Sequence, residues 1–129
     1  MAIAQRVEAS FDSNILIDSL NGDRRARLEL IRTERRWISR VTWIEVMSKV
    51  RPDEDAAMER FFADFQIEEV TMPISRRAAA LRYERPKLKL PDAVIHASAL
   101  LGNRTLVTRN TRDFSAETPG IRIPYTFHQ

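Results

Sequence analysis

The order in which two hydrophobic periodicities alternate along this chain limits its folds more than any other feature. Val7, Ala9 and Phe11 are spaced by two and lead into Asp12-Ser13-Asn14, as in a short strand ending in a polar turn. A helix should follow, with Ile15, Leu16 and Leu20 facing inward, closing near Asn21-Gly22. Arg24 to Arg36 carries Leu28, Ile31 and many charges, with Glu29 and Arg32 at i,i+3, and reads as a solvated amphipathic helix. Trp37-Ile38-Ser39 returns to strand character, and Thr42 opens a helical run through Trp43, Val46, Met47 and Val50 that Pro52 stops. A helix is predicted over Ala56 to Phe65, a strand over Ile67 to Thr71, and a helix over Ser75 to Arg85 with Ala78, Ala79 and Leu81 inside. Pro91 suits a first helical residue before Asp92 to Leu101, with Gly102 just past the helix end. Thr105 to Thr108 is the clearest buried strand, and Ile121 to Phe127 a terminal one. Strands separated by helices imply an α/β domain with a mainly parallel sheet, because parallel neighbours need a crossover.

The 129 residues suit one domain spanning 1-129, long enough to bury roughly two-thirds of the unfolded surface. Three glycines, six scattered prolines and no repeat leave no linker. Absence of cysteine excludes disulfides, a thiolate zinc site and a cysteine nucleophile. No apolar run approaches the ~18 residues that span a bilayer, and residues 1–6 lack the pattern of a signal peptide, so a cytoplasmic protein is expected.

In open parallel sheets, ligands gather beyond the carboxyl ends of the strands. Asp12 follows the first strand, Glu45 falls in the first turn of the helix after the second, and Asp92 opens a later helix. Asn110 and Asp113 follow the Thr105 to Thr108 strand. Carboxylates this close would repel one another and hold protons unless a cation compensated them. Oxygen donors suit Mg²⁺ or Mn²⁺.

Each residue also has an ordinary structural role open to it. Asp12 and Asn14 suit a turn, Thr42 with Glu45 matches a capping box, Asp92 complements a helix dipole, and Asp113 suits a cap before Phe114. It is their joint placement at strand ends that points to a site. Of the two histidines, His96 lies on the face of Asp92 but reads as a half-buried helix residue, and His128 as a mobile terminal one. Paired-imidazole ribonuclease chemistry, a Ser/His/Asp elbow and a Gly-rich phosphate loop are all without support.

Four segments resemble the ordered motifs of PIN-domain proteins: Phe11-Asp12-Ser13-Asn14-Ile15-Leu16-Ile17, Ile38 to Val46 around Glu45, Leu90-Pro91-Asp92-Ala93-Val94-Ile95, and Leu106 to Phe114. The resemblance runs from about residue 11 to 125 and is nearest to VapC-type toxins of bacterial toxin–antitoxin pairs. It implies a three-layer α/β/α domain and a Mg²⁺- or Mn²⁺-dependent endoribonuclease, commonly a homodimer, inhibited by a small VapB-type antitoxin. It places Asp12, Glu45, Asp92 and Asp113 at the acidic metal positions and Asn14 and Thr42 in the polar shell around them. Asn110 stands where some members carry an acid, so Asp113 supplies the fourth carboxylate and Asn110 supports it or positions substrate. The ten residues before the first motif are assigned no role.

A divalent ion would lower the pKa of its water for attack on a phosphodiester and neutralise the transition state. Arg109, Arg112 and Arg82 are the expected phosphate contacts, though a solvated helix face explains any one of them equally. With four of the 18 acids set aside in a metal pocket, 14 face 21 bases, so a modest net charge of +3 conceals a basic remainder. A PIN nuclease of ordinary RNA processing, or a silent RNA-binding module, are the alternatives. An adjacent antitoxin-like reading frame separates the first from a toxin, and an intact acid set argues against the second.

Overall fold

A computed structural model describes residues 7–127 as a five-stranded, all-parallel sheet flanked by helices. Residues 1–6 and His128 lie outside the described residues. The elements run β1 (Glu8–Phe11), α1 (Ser13–Leu20), α2 (Arg24–Arg32), β2 (Arg35–Ser39), α3 (Arg40–Met47), a 3-10 turn (Pro52–Glu54), α4 (Asp55–Phe62), β3 (Phe65–Glu68), α5 (Met72–Glu84), α6 (Leu90–Leu101), β4 (Thr105–Val107) and β5 (Ile121–Arg122). The strand order is β3-β2-β1-β4-β5, so the chain winds outward in both directions from β1. The switch point lies between β1 and β4, where Ala9 pairs with Thr105 and Phe11 with Val107.

Successive residues of a strand point to opposite faces, which divides the core into layers. Val107 joins Ala9, Phe11 and Ile38 in a cluster with Ile15 and Leu16 of α1, Ala26 and Leu30 of α2, and Phe62 of α4. Its neighbour Leu106 points the other way, onto Ile95 and Ala99 of α6, with Phe114 and Ile121. A third cluster joins Ile74 and Ala78 of α5 to Ala93, Val94 and Ala97 of α6.

Several boundaries differ from the sequence expectation for local reasons. The helix expected to reach Arg36 stops at Arg32: Thr33 takes an extended conformation, and Arg36, now in β2, turns its Nε back to the Leu30 and Thr33 carbonyls. Leu28 and Ile31 are exposed, at 51% and 73%, while Ala26 and Leu30 carry the buried face of α2. Leu20 is exposed as well, at the end of α1. Ser39, whose side chain accepts from the Val41 amide, caps α3, so the helix starts before Thr42 and the Thr42–Glu45 capping box does not form. Phe65 opens β3 rather than closing a helix, because aromatic packing with Phe61 and Phe62 holds it in the core. Thr71 caps α5 through its hydroxyl and is not strand. Ala79 of α5 is exposed, and the terminal strand shortens to Ile121–Arg122. Gly102 follows α6 as expected, but Asn103 adopts the left-handed conformation, with φ 54°. A side chain at Gly102 would meet the Arg104 guanidinium at 2.1 Å, so glycine there leaves Arg104 its place, and any larger residue would have to displace it.

Candidate active site

At the carboxyl end of the sheet, beside the switch point, a cleft of about 710 Å³ is lined by Asp12, Glu45, Asp92 and Asp113. These four acids come from segments far apart in sequence: the end of β1, the second turn of α3, the first turn of α6, and the loop after β4. Expecting Glu45 in the first turn of its helix was an error of one turn, caused by the earlier Ser39 cap.

Asp12 is both a structural and a chemical residue. It caps α1, with Oδ1 accepting from the Ser13 amide at 2.7 Å, while Oδ2 accepts from the Thr108 hydroxyl at 2.8 Å and Asn14 Nδ2 at 3.2 Å. Burial pushes its carboxyl above the usual range and the Glu45 charge adds to this, against the hydrogen bonds from Thr108, Ser13 and Asn14. Glu45 is held by the Ser13 hydroxyl. Asn14 also reaches the other motif, its Oδ1 accepting from the Arg109 amide at 3.2 Å.

Asp92 is pushed up to about 7, first by burial and then by the Asp12 charge, with a hydrogen bond to Asp113 adding to the rise. Asp113 moves the other way, held below the usual range chiefly by Asn110, whose Nδ2 donates to Oδ2 at 3.0 Å. Asn110 Oδ1 meanwhile accepts from the Arg112 and Asp113 amides, so both ends of the amide are spent on shaping this turn. No helix follows Asp113, and it caps none.

The donor set fits a hard divalent cation. It consists of oxygens alone, and the raised pKa of Asp92 reflects burial and neighbouring negative charge that a cation would offset. Among the described residues no three His, Asp or Glu side chains are already grouped so as to hold a metal ion. An ion bound in such a cleft would draw its remaining ligands from water and substrate, as Mg²⁺ ordinarily does.

The other sequence candidates fall unequally. Arg112 lines the cleft, together with Lys89 from the basic segment that leads to Asp92 and with Lys49, which the sequence reading did not single out. Arg109 lines it too, but its guanidinium is engaged by Asp18, with Nε to Oδ2 at 2.5 Å and Nη2 to Oδ1 at 3.0 Å. Arg82 does not line it, and donates instead to the Leu88 carbonyl. Thr42 is fully buried with its hydroxyl unpartnered and is not part of the lining. His96 lies outside the cleft as well, buried against the edge of Phe114, and burial lowers its pKa. Ser13 and Thr108 were missed as site residues. Thr108 is fully buried, and a hydroxyl at the end of an apolar strand, which needs a partner when buried, was the available signal.

Among the described residues no helix is long and apolar enough to cross a membrane. Among curated proteins the chain has no match. Among solved structures, a chain of a toxin–antitoxin complex from Klebsiella pneumoniae is 40% identical, with TM-score 0.87, covering 93% of this chain and 100% of that one. VapBC2 from Rickettsia felis bound to a promoter DNA fragment matches at 22% identity and TM-score 0.70, over 89% of this chain and 96% of that one. DNA-bound VapBC from Salmonella typhimurium matches at 23% and 0.74, over 90% and 96%. These last two likenesses are of fold alone. The description "PIN domain" matches residues 10–116, which contain all four acids of the cleft, and the chain belongs to the PIN-domain family.

Proposed function

We propose that this chain is a Mg²⁺- or Mn²⁺-dependent endoribonuclease, the toxin of a type II toxin–antitoxin pair, inhibited by a small VapB-type antitoxin. Membership of the PIN-domain family supports a nuclease, and 40% identity to a chain of a toxin–antitoxin complex supports the toxin role. The observation that carries the chemistry is the convergence of Asp12, Glu45, Asp92 and Asp113 on one cleft rimmed by Lys49, Lys89 and Arg112.

Asp12, Glu45, Asp92 and Asp113 would hold the cation. When bound, a divalent ion supplies acidified water and neutralises charge developing on the phosphodiester. The chain's own groups prepare that chemistry. Thr108, Asn14 and the Ser13 amide fix both oxygens of Asp12, and Ser13 fixes Glu45. Asn110 keeps Asp113 ionised. Asp92 is poised to give up its proton on loading. Lys49, Lys89 and Arg112 offset the repulsion that an acidic cleft would exert on an RNA backbone. Leu28 and Ile31 are exposed one turn apart on α2, where an antitoxin could cover them, and Met72 and Tyr83 are exposed at the two ends of α5, where a second copy could cover them.

The test is cleavage of RNA by the purified protein with Mg²⁺ or Mn²⁺, with EDTA and the Asp12→Asn variant as controls. Cleavage should require the metal, vanish in Asp12→Asn while the circular dichroism spectrum stays native, and be suppressed by a small protein encoded beside this one. Cleavage that persists in excess EDTA would overturn the reading.

A further inference from the structure

We infer that the groove between the α5–α6 loop and the loop after β4 holds backbone phosphates of the nucleotides flanking the cut, with Lys87 as a substrate-positioning residue. This rests on the nuclease reading above and adds to it the path that the RNA takes beyond the acids. The groove has a volume of about 580 Å³ and is walled by residues 85–89 on one side and by Arg112 and Asp113 on the other. It shares Lys89, Arg112 and Asp113 with the acidic cleft, so the two are contiguous. Lys87 and Arg85 belong to the groove alone.

Four cations, Arg85, Lys87, Lys89 and Arg112, here face one acid, Asp113, which belongs to the cation-holding set. Three of the four are available. Lys87, Lys89 and Arg112 are exposed, and among the described residues their side chains make no hydrogen bond or ion pair. Elsewhere in the chain Arg104, Arg109 and Arg122 are each engaged by a carboxylate, of Glu68, Asp18 and Glu29 respectively. Unpaired cations gathered in one concavity attract an anion that the chain itself does not supply.

The walls are held in advance. Leu88 is buried in the core between α5 and α6, its amide donating to the Arg85 carbonyl at 2.9 Å and its carbonyl accepting from Arg82 Nε at 3.0 Å. With Leu88 anchored inward, Lys87 and Lys89 on either side of it remain at the surface. Arg85 Nη2 donates to the Asp113 carbonyl at 2.6 Å and so ties one wall to the other. Such bracing reduces the ordering that binding would otherwise require.

Continuity with the cleft favours RNA over an acidic protein segment. A strand whose scissile phosphate lies at the acids carries its next phosphates outward at a regular spacing, and this groove leads away from that point. Its lining holds no aromatic ring on which a base could stack, so the contact is with backbone and adds affinity without sequence preference.

The test is steady-state cleavage with Mg²⁺ of a single-stranded RNA of twelve or so nucleotides and of a dinucleotide carrying only the scissile phosphate. Binding of the longer RNA is followed in parallel by fluorescence anisotropy in Ca²⁺ over a series of salt concentrations. On the longer RNA, Lys87→Gln should raise KM about fivefold, with the loss falling on KM rather than kcat, and should reduce the salt slope of binding by about 0.7. Lys87→Arg should restore both, and the dinucleotide should not distinguish Lys87→Gln from wild type. Arg60→Gln, which removes an exposed charge from α4, should behave as wild type throughout. An unchanged KM and salt slope in Lys87→Gln, an equal loss in Arg60→Gln, or an equal loss on the dinucleotide would overturn the inference. So would a Lys87→Gln protein that binds RNA normally but has lost affinity for an acidic peptide such as oligoglutamate. Lys87-dependent RNA binding by a wild-type protein that cuts no RNA would uphold the groove and refute the nuclease reading.

Discussion

Thr108→Val tests how the cleft holds its central acid, because it removes one hydroxyl at nearly constant volume. That hydroxyl donates to Asp12 Oδ2 at 2.8 Å and accepts from the Asn110 amide at 3.0 Å and Asn14 Nδ2 at 3.3 Å, all at a fully buried position. A hydrogen bond to a charged group contributes about 2 kcal/mol and a neutral one about 1 kcal/mol. The Asn14 amide also donates to Asp12, so it loses least, and the added methyl returns about 0.8 kcal/mol. The net loss should be about 2–3 kcal/mol. At about 2.1 cal/mol/K per residue, a 129-residue domain should then melt about 7–11 °C lower. Function should fall for a related reason. The Thr108 hydrogen bond is the largest influence opposing the burial of Asp12, so without it the carboxyl keeps its proton to higher pH. RNA cleavage at pH 7 should drop at least tenfold and partly recover at pH 9, while Thr108→Ser stays within about threefold of wild type. Calorimetry and a pH–rate profile measure the two effects. A Val variant with native melting temperature and pH profile, or a Ser variant as impaired as Val, would refute the reasoning.

Asp92, raised to about 7 from 3.8, favours the fold in its protonated form, so its stabilising contribution is complete below pH 3.8 and is lost as pH rises through about 7. Metal-free protein should therefore lose stability over that interval less steeply in Asp92→Asn, and added Mg²⁺ should raise the melting temperature more at pH 8 than at pH 6; equal shifts would count against metal replacing that proton. Asp113→Ala should cost more activity than Asn110→Ala, since Asn110 acts by orienting Asp113, and the reverse order in cleavage rates would reassign the fourth ligand. Gly102→Ala should displace Arg104, whose side chain is only 6% exposed and binds Ser10 and Glu68, at a cost of about 1–3 kcal/mol in denaturant unfolding; a neutral result would show that Arg104 has room to move.

The alternation of periodicities, a property of local sequence, was enough to establish an α/β chain with parallel strands, to place Asp12 and Asp92 at element ends and to place Asp113 after a strand. The misplaced boundaries share a cause. At Thr33, Ser39 and Phe65 a cap, a backbone turn or an aromatic cluster competes with a periodic pattern that tolerates either structure, and only the packed fold decides between them. The same limit applied at the site. Residue types indicated four acids of hard-cation chemistry, because such chemistry is carried by single side chains. Which cations face those acids was decided by the tertiary structure. Asp18 engages Arg109 from 91 positions away, while Lys49 and Lys89 reach the cleft from helix ends. The differing charge states of Asp92 and Asp113 were decided there too, since a pKa depends on burial and on neighbours that the chain brings together only by folding.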